Sequence, residues 1–88
     1  MKSLIEKLFE LKAGKLPKAS RREQEVAGYI AAGNTNQQIG DILGISIKTV
    51  EKHRESLHRK FHFRNTADLC RWALAEGLAH NEWLKNKY

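Results

Sequence analysis

A single cysteine, Cys70, stands in this 88-residue chain, and one thiol cannot close an internal disulfide. The fold cannot lean on covalent staples, and a reducing cytoplasm is the expected compartment. Proline is equally scarce: only Pro17 forbids a helix from continuing through it. The six glycines never cluster, and neither a repeat nor a low-complexity run is present, so no disordered linker is expected. No apolar run approaches the ~20 residues of a membrane span, and no signal-peptide pattern opens the chain. A membrane-embedded protein is therefore not expected. Also missing are an alternating strand pattern, a glycine-rich phosphate loop and a pair of acids suited to general acid–base work. With 41% apolar residues the chain can build a modest core but no deep pocket. The expectation is an all-α domain that is not an enzyme and carries no cofactor.

What the chain does have is uneven positive charge. Net charge is +6. Residues 46–64 carry six Lys or Arg against two acids, and residues 1–18 carry five against two, while the remainder sums to −1. Basicity of the whole chain only weakly favours a polyanionic partner; its concentration in one helical block is more informative.

Helix starts recur at regular capping spacing. Ser3 precedes Glu6 by three residues, Ser20 precedes Glu23, and Thr35 precedes Gln38. The first opens an amphipathic helix with Leu4, Ile5, Leu8, Phe9 and Leu11 near one face. The second opens a helix with Val26, Ala27, Ile30 and Ala31 inward, stopping at Gly33. The third is short, anchored by Ile39, Ile42 and Leu43, and ends at Gly44. Ser46 starts a fourth segment to about Phe61, with Ile47, Val50, Leu57 and Phe61 on its inner face. Asn65 or Thr66 caps a fifth, closed by Gly77 with Leu78 after it, the order a Schellman ending prefers. The expected organisation is an N-terminal amphipathic helix over 1–13, a connector over 14–19, a helical domain over 20–78 and a tail over 79–88.

Gly44 is the key to function. Two short helices cross steeply only through a residue that tolerates left-handed dihedrals. Ile45 then plugs the crevice, Ser46 caps the next helix, and Gly40 leaves room where the helices come closest. Ile39, Leu43, Ile45 and Val50 fall where a helix-turn-helix needs its anchors. With Val50, Leu57 and Phe61 inward, Lys48, Glu51, Lys52, Glu55 and Arg59 face outward. Such a face fits the major groove, where Lys donates to guanine O6 and N7 and Glu accepts from cytosine N4. The plainer alternative is a solvated face whose Lys and Glu pair with one another.

The stretch Ser20–Leu78 resembles the LuxR/NarL-type helix-turn-helix domain of bacterial transcription regulators. The residues that carry the resemblance are Ser20, Arg22 and Glu23; Glu25 and Val26; Gly33, Thr35 and Asn36; Ile39 and Gly40; Ile45, Ser46, Lys48, Thr49, Val50, Glu51 and His53; and Lys60 with Phe61. The resemblance implies a four-helix domain, here with an extra N-terminal helix, in which helix 46–61 enters the major groove of double-stranded DNA. It implies base contacts from Glu51, Lys52 and Glu55. It implies phosphate contacts from Thr35, Asn36, Lys48 and Thr49, with Arg59 and Lys60 further along the same helix. The chain departs from the pattern in four places. Ala19 and Ser20 stand for the usual Leu-Thr opening, a mild loss of core apolar area. Gly40 replaces the usual Ala, which loosens its helix by up to about 1 kcal/mol. Thr66 replaces a common Arg. His62 replaces the glycine expected at the helix end, so His62 must bear any left-handed dihedral itself. Many members carry a receiver or ligand-sensing domain, and the leading residues are too few for one. The expectation is a stand-alone regulator, with a fragment of a longer protein as the alternative.

The fifth helix is apolar on more than one face, at Leu69, Cys70, Trp72, Ala73 and Leu74 among others. One reading is a homodimer contact around Cys70 and Leu74, matching half-sites about one helical turn apart. The other is coverage by the N-terminal helix or the tail around Trp83. The first helix has three readings of its own: packing on the core, a partner helix, or a membrane surface. His58 and His62 have metal-edge spacing but no further ligands at sensible distance, so no metal site is expected. His53 reads as a packed, half-buried ring. The function expected is a sequence-specific, dimeric, DNA-binding transcription regulator. The alternative is an interaction module for RNA polymerase or another regulator.

Overall fold

The structure, a computed structural model, describes residues 4–6 and 17–79. Residues 4–6 are helical, and their Leu4 and Ile5 are exposed. The remainder of the expected first helix, and the tail beyond Ala79 with Trp83, lie outside the described residues. Four helices make up the domain: α1 Arg21–Ala31, α2 Asn36–Leu43, α3 Ile47–Phe61 and α4 Thr66–Ala75. No strand occurs among the described residues.

Local chemistry explains each helix start. Ser20 Oγ accepts from the Glu23 amide at 3.1 Å while Glu23 Oε1 accepts from the Ser20 amide at 2.7 Å, a reciprocal capping box. Thr35 and Gln38 repeat it at 3.1 and 2.8 Å. Ser46 Oγ accepts from the Thr49 amide, and Asn65 Oδ1 from the Asp68 amide. Two endings are Schellman motifs. At Gly33 (φ 94°), the Asn34 amide donates to Tyr29 O and the Gly33 amide to Ile30 O. At Gly77 (φ 71°), Leu78 donates to Ala73 O and Gly77 to Leu74 O. The third ending fell to a residue poorly suited to it. His62 adopts φ 57°, ψ 39°, the left-handed region, as the missing glycine demanded.

The core is one cluster drawn from all four helices: Val26, Ala27 and Ile30; Ile39; Val50 and Leu57; Leu69 and Ala73. α1 is its centre, touching α2, α3 and α4, whereas α4 packs chiefly on α1 rather than on α3. Two expected anchors sit at its rim instead. Ile42 is 50% exposed and Ile47 39%. At 100° per residue each lies about 60° from the buried position on its own helix, Ile39 or Val50, at the edge of the covered arc. Leu43, only about 40° from Ile39, is half-buried against the core.

The corner between α2 and α3 is the tightest feature. Gly44 takes φ 68°, ψ 35°, and the Ile45 amide donates back to Gly40 O at 3.0 Å. A Cβ built on Gly40 would lie 2.7 Å from Ile45 O, a backbone atom with little freedom to retreat. Gly40 therefore does more than lower helix propensity: it admits the turn that swings α3 across α2.

Candidate nucleic-acid interface

The outward face of α3 follows from what its inward face must do. Val50 and Leu57, two turns apart, are fully buried, which fixes the rotation of the helix. Lys48, Glu51, Lys52, Glu55 and Arg59 are all exposed as a result. Their spacing of three and four residues would permit ion pairs along the helix. None forms: no salt bridge within 4.0 Å joins any of the five to a described residue. The pairs found among the described residues lie elsewhere, at Arg21 and Arg22 with Glu25, Lys60 with Glu23, and Arg64 and Arg71 with Asp68. Among the described residues, this face of α3 therefore keeps its charged groups free of ion pairs.

The expected phosphate contacts divide into two groups. Lys48 and Arg59 are exposed and unpaired on the same helix as the base-reading candidates. Thr49 is half-buried, its hydroxyl 2.9 Å from Ser46 Oγ at the cap. Thr35 Oγ1 caps α2, and Asn36 is the first residue of that helix. Lys60 has different company. Its Nζ lies 2.7 Å from Glu23 Oε1 and 3.3 Å from Lys18 O, so it ties the end of α3 to the start of α1. The Glu23 side chain is only 5% exposed. Burial by itself would raise its pKa. The hydrogen bonds from Lys60, Ser56 and the Ser20 amide, with the Lys60 charge, outweigh burial and hold it at about 2. The ammonium that the resemblance suggested for phosphate neutralises a buried carboxylate.

Three features escaped the sequence. The first is this Glu23–Lys60 pair, 37 residues apart. The second is Arg54, half-buried on α3, whose Nη1 donates to Asn36 Oδ1 and Nη2 to Thr66 Oγ1, both at 3.0 Å. Its only sequence signal was a basic residue between the two faces of the helix. The third is a stack on the far end of α3: Phe61 lies 5.4 Å from Phe63 and 4.7 Å from Trp72, ring centre to ring centre. His58 meets Phe63 edge-on, with Nδ1 3.4 Å from Phe63 O. His53 is half-buried. Among the described residues no three His, Cys, Asp or Glu side chains gather as a metal site.

At the start of α4, Asp68 accepts from the Arg64 amide and guanidinium and from Arg71. Those bonds hold its carboxyl at about 2. On the same helix Leu74 is 59% exposed and Cys70 is a half-buried free thiol. A shallow cleft of about 260 Å³ lies between the connector and the aromatic stack, lined by Pro17, Ala19, Phe61 and Trp72 among others. No helix among the described residues is long and apolar enough to cross a membrane.

Residues 18–73 match the family described as bacterial regulatory proteins, luxR family. The chain is 42% identical over 57 residues to the transcriptional regulatory protein MctR of Rhizobium johnstonii, covering 65% of this chain and 27% of that protein. It is 38% identical over 61 residues to the transcriptional regulatory protein TdiR of Thauera aromatica, covering 69% and 26%. It is 36% identical over 59 residues to the oxygen regulatory protein NreC of Staphylococcus carnosus, covering 67% and 27%. The matched stretch thus spans about a quarter of the length of these curated relatives. No solved structure matches the chain.

Proposed function

The chain belongs to the luxR family of bacterial regulatory proteins, and on that premise we infer that it is a cytoplasmic transcription regulator that reads double-stranded DNA through α3. The observation that carries the reading is the unpaired charged arc of α3, held out from the core by Val50 and Leu57 and aimed by the Gly44 corner. In the major groove, Lys52 donates to guanine O6 and N7, and Glu51 and Glu55 accept from cytosine N4. Lys48 and Arg59 meet phosphates, together with Thr35, Asn36 and Thr49 beside the corner. Lys60 is left out of this set, because its ammonium already neutralises Glu23. The protein binds as a homodimer through the exposed Leu74 and neighbouring Cys70 of α4, so its target is a pair of half-sites.

Titration of duplex binding against salt is the test. Phosphate neutralisation by several Lys and Arg makes log K fall steeply and linearly with log salt, by about 0.9 per phosphate contacted. Lys52→Ala relaxes sequence preference at one base pair, with a cost of about 1–3 kcal/mol on the preferred duplex and little on others. Salt-insensitive binding, or a Lys52→Ala protein with unchanged preference, rules the reading out.

A further inference from the structure

A reading helix needs its tilt fixed, and the packing fixes only part of it. α3 lies across α1 and α2, but it shares little backbone contact with α4. Beyond the apolar core that the two helices share, a ring contact and a hydrogen bond join α3 to α4. At the C-terminal end, Phe61 packs on Trp72 with ring centres 4.7 Å apart. In the middle, Arg54 Nη2 donates to Thr66 Oγ1, on the first residue of α4. The other arm of the same guanidinium donates to Asn36 Oδ1, on the first residue of α2.

We propose that Arg54 is the positioning residue that sets the tilt of the reading face of α3. The inference rests on the DNA-reading function above. A guanidinium is a rigid planar fork, so two bonds to two different helices constrain direction as well as distance. The lever is long. Glu51 stands ten residues from Phe61, about 15 Å along the helix, so a tilt of about 5° around Phe61 moves it by about 1.3 Å. Good hydrogen bonds tolerate only about 0.5 Å of spread in length. Arg54 sits one turn from Glu51 and beside Glu55, well out along that lever, where its two bonds resist the displacement. Lysine is not a substitute, because a single ammonium on a flexible stem lacks the fork.

The test uses the full chain and three variants: Thr66→Val, Arg54→Lys and the double substitution. The probes are a duplex enriched from a random pool by the wild-type protein and a scrambled duplex of the same length and composition. Binding of each is followed by fluorescence anisotropy across a salt series. Either single substitution should lower the ratio of enriched to scrambled affinity about tenfold, within the discrimination one base contact supplies. Affinity for the scrambled duplex and both salt slopes should stay as in the wild type. The double variant should lose no more than the worse single one, since both changes cut the same bond. If Arg54→Lys fails to fold by circular dichroism, Thr66→Val carries the test, since it alters one exposed hydroxyl. An unchanged ratio in a wild type that does discriminate overturns the inference and leaves the function standing. So does equal weakening on both duplexes with a shallower salt slope, which identifies a phosphate contact or a merely structural role. A wild type that binds both duplexes alike overturns the DNA-reading function, and this inference with it.

Discussion

Glu23→Gln isolates the charge of the Glu23–Lys60 pair at nearly constant shape. The amide still accepts from the Ser20 N–H, so the capping box survives, but the carboxylate that faces Lys60 at 2.7 Å is gone. The folded pKa of Glu23 is about 2, against 4.5 ordinarily. At 1.36 kcal/mol per pKa unit, and allowing for solvent around the partly exposed Lys60, the ionised form stabilises the fold by about 2–3 kcal/mol. For a domain of this size that is a fall of about 10–20 °C in the unfolding midpoint. The pH dependence has a definite sign. A depressed folded pKa means the unfolded chain takes up the proton first, so the stabilisation is complete above about pH 5 and vanishes as pH falls towards 2. Thermal unfolding followed by circular dichroism, in steps from pH 7 to pH 2, measures both proteins. The gap between wild type and Glu23→Gln should be widest at pH 7 and close through the acid range. Asp68 also has a lowered pKa, but it is present in both proteins and drops out of the difference. A gap that stays constant to pH 2, or one below about 0.5 kcal/mol at pH 7, would mean the pair behaves like an ordinary surface ion pair, and the reasoning would be wrong.

Other consequences are simpler to measure. Leu57→Ala, at a fully buried site, should cost about 2–5 kcal/mol in urea unfolding, whereas Ile42→Ala on the rim should cost under about 1 kcal/mol; equal losses contradict the assigned core. His62→Gly removes a side chain from a left-handed position and should stabilise by about 1 kcal/mol. A lower midpoint in that variant shows that the His62 side chain makes a contact worth more than its strain. Gly40→Ala should not deliver the ~1 kcal/mol that alanine normally adds to a helix, because its Cβ meets Ile45 O; a full gain shows that the corner yields freely.

Near-neighbour chemistry in the sequence was enough to find most of the architecture. Caps act across three residues, so Ser20 with Glu23, Thr35 with Gln38, and Ser46 could be read directly, and all three sit at helix starts. Gly44 was legible because a left-handed corner strongly favours glycine, and the strain at His62 because glycine was missing there. The exposed arc of α3 followed from helical period once Val50 and Leu57 were taken as inward. Only the tertiary structure decided how far the covered arc reaches, which left Ile42 and Ile47 at its rim. Only it joined Lys60 to Glu23, 37 residues away, and Arg54 to Asn36 and Thr66, 18 and 12 residues away. The reason is physical. Capping and periodicity depend on residues within a turn of one another, whereas the partner of a long basic side chain depends on which helix the packed core carries into its reach.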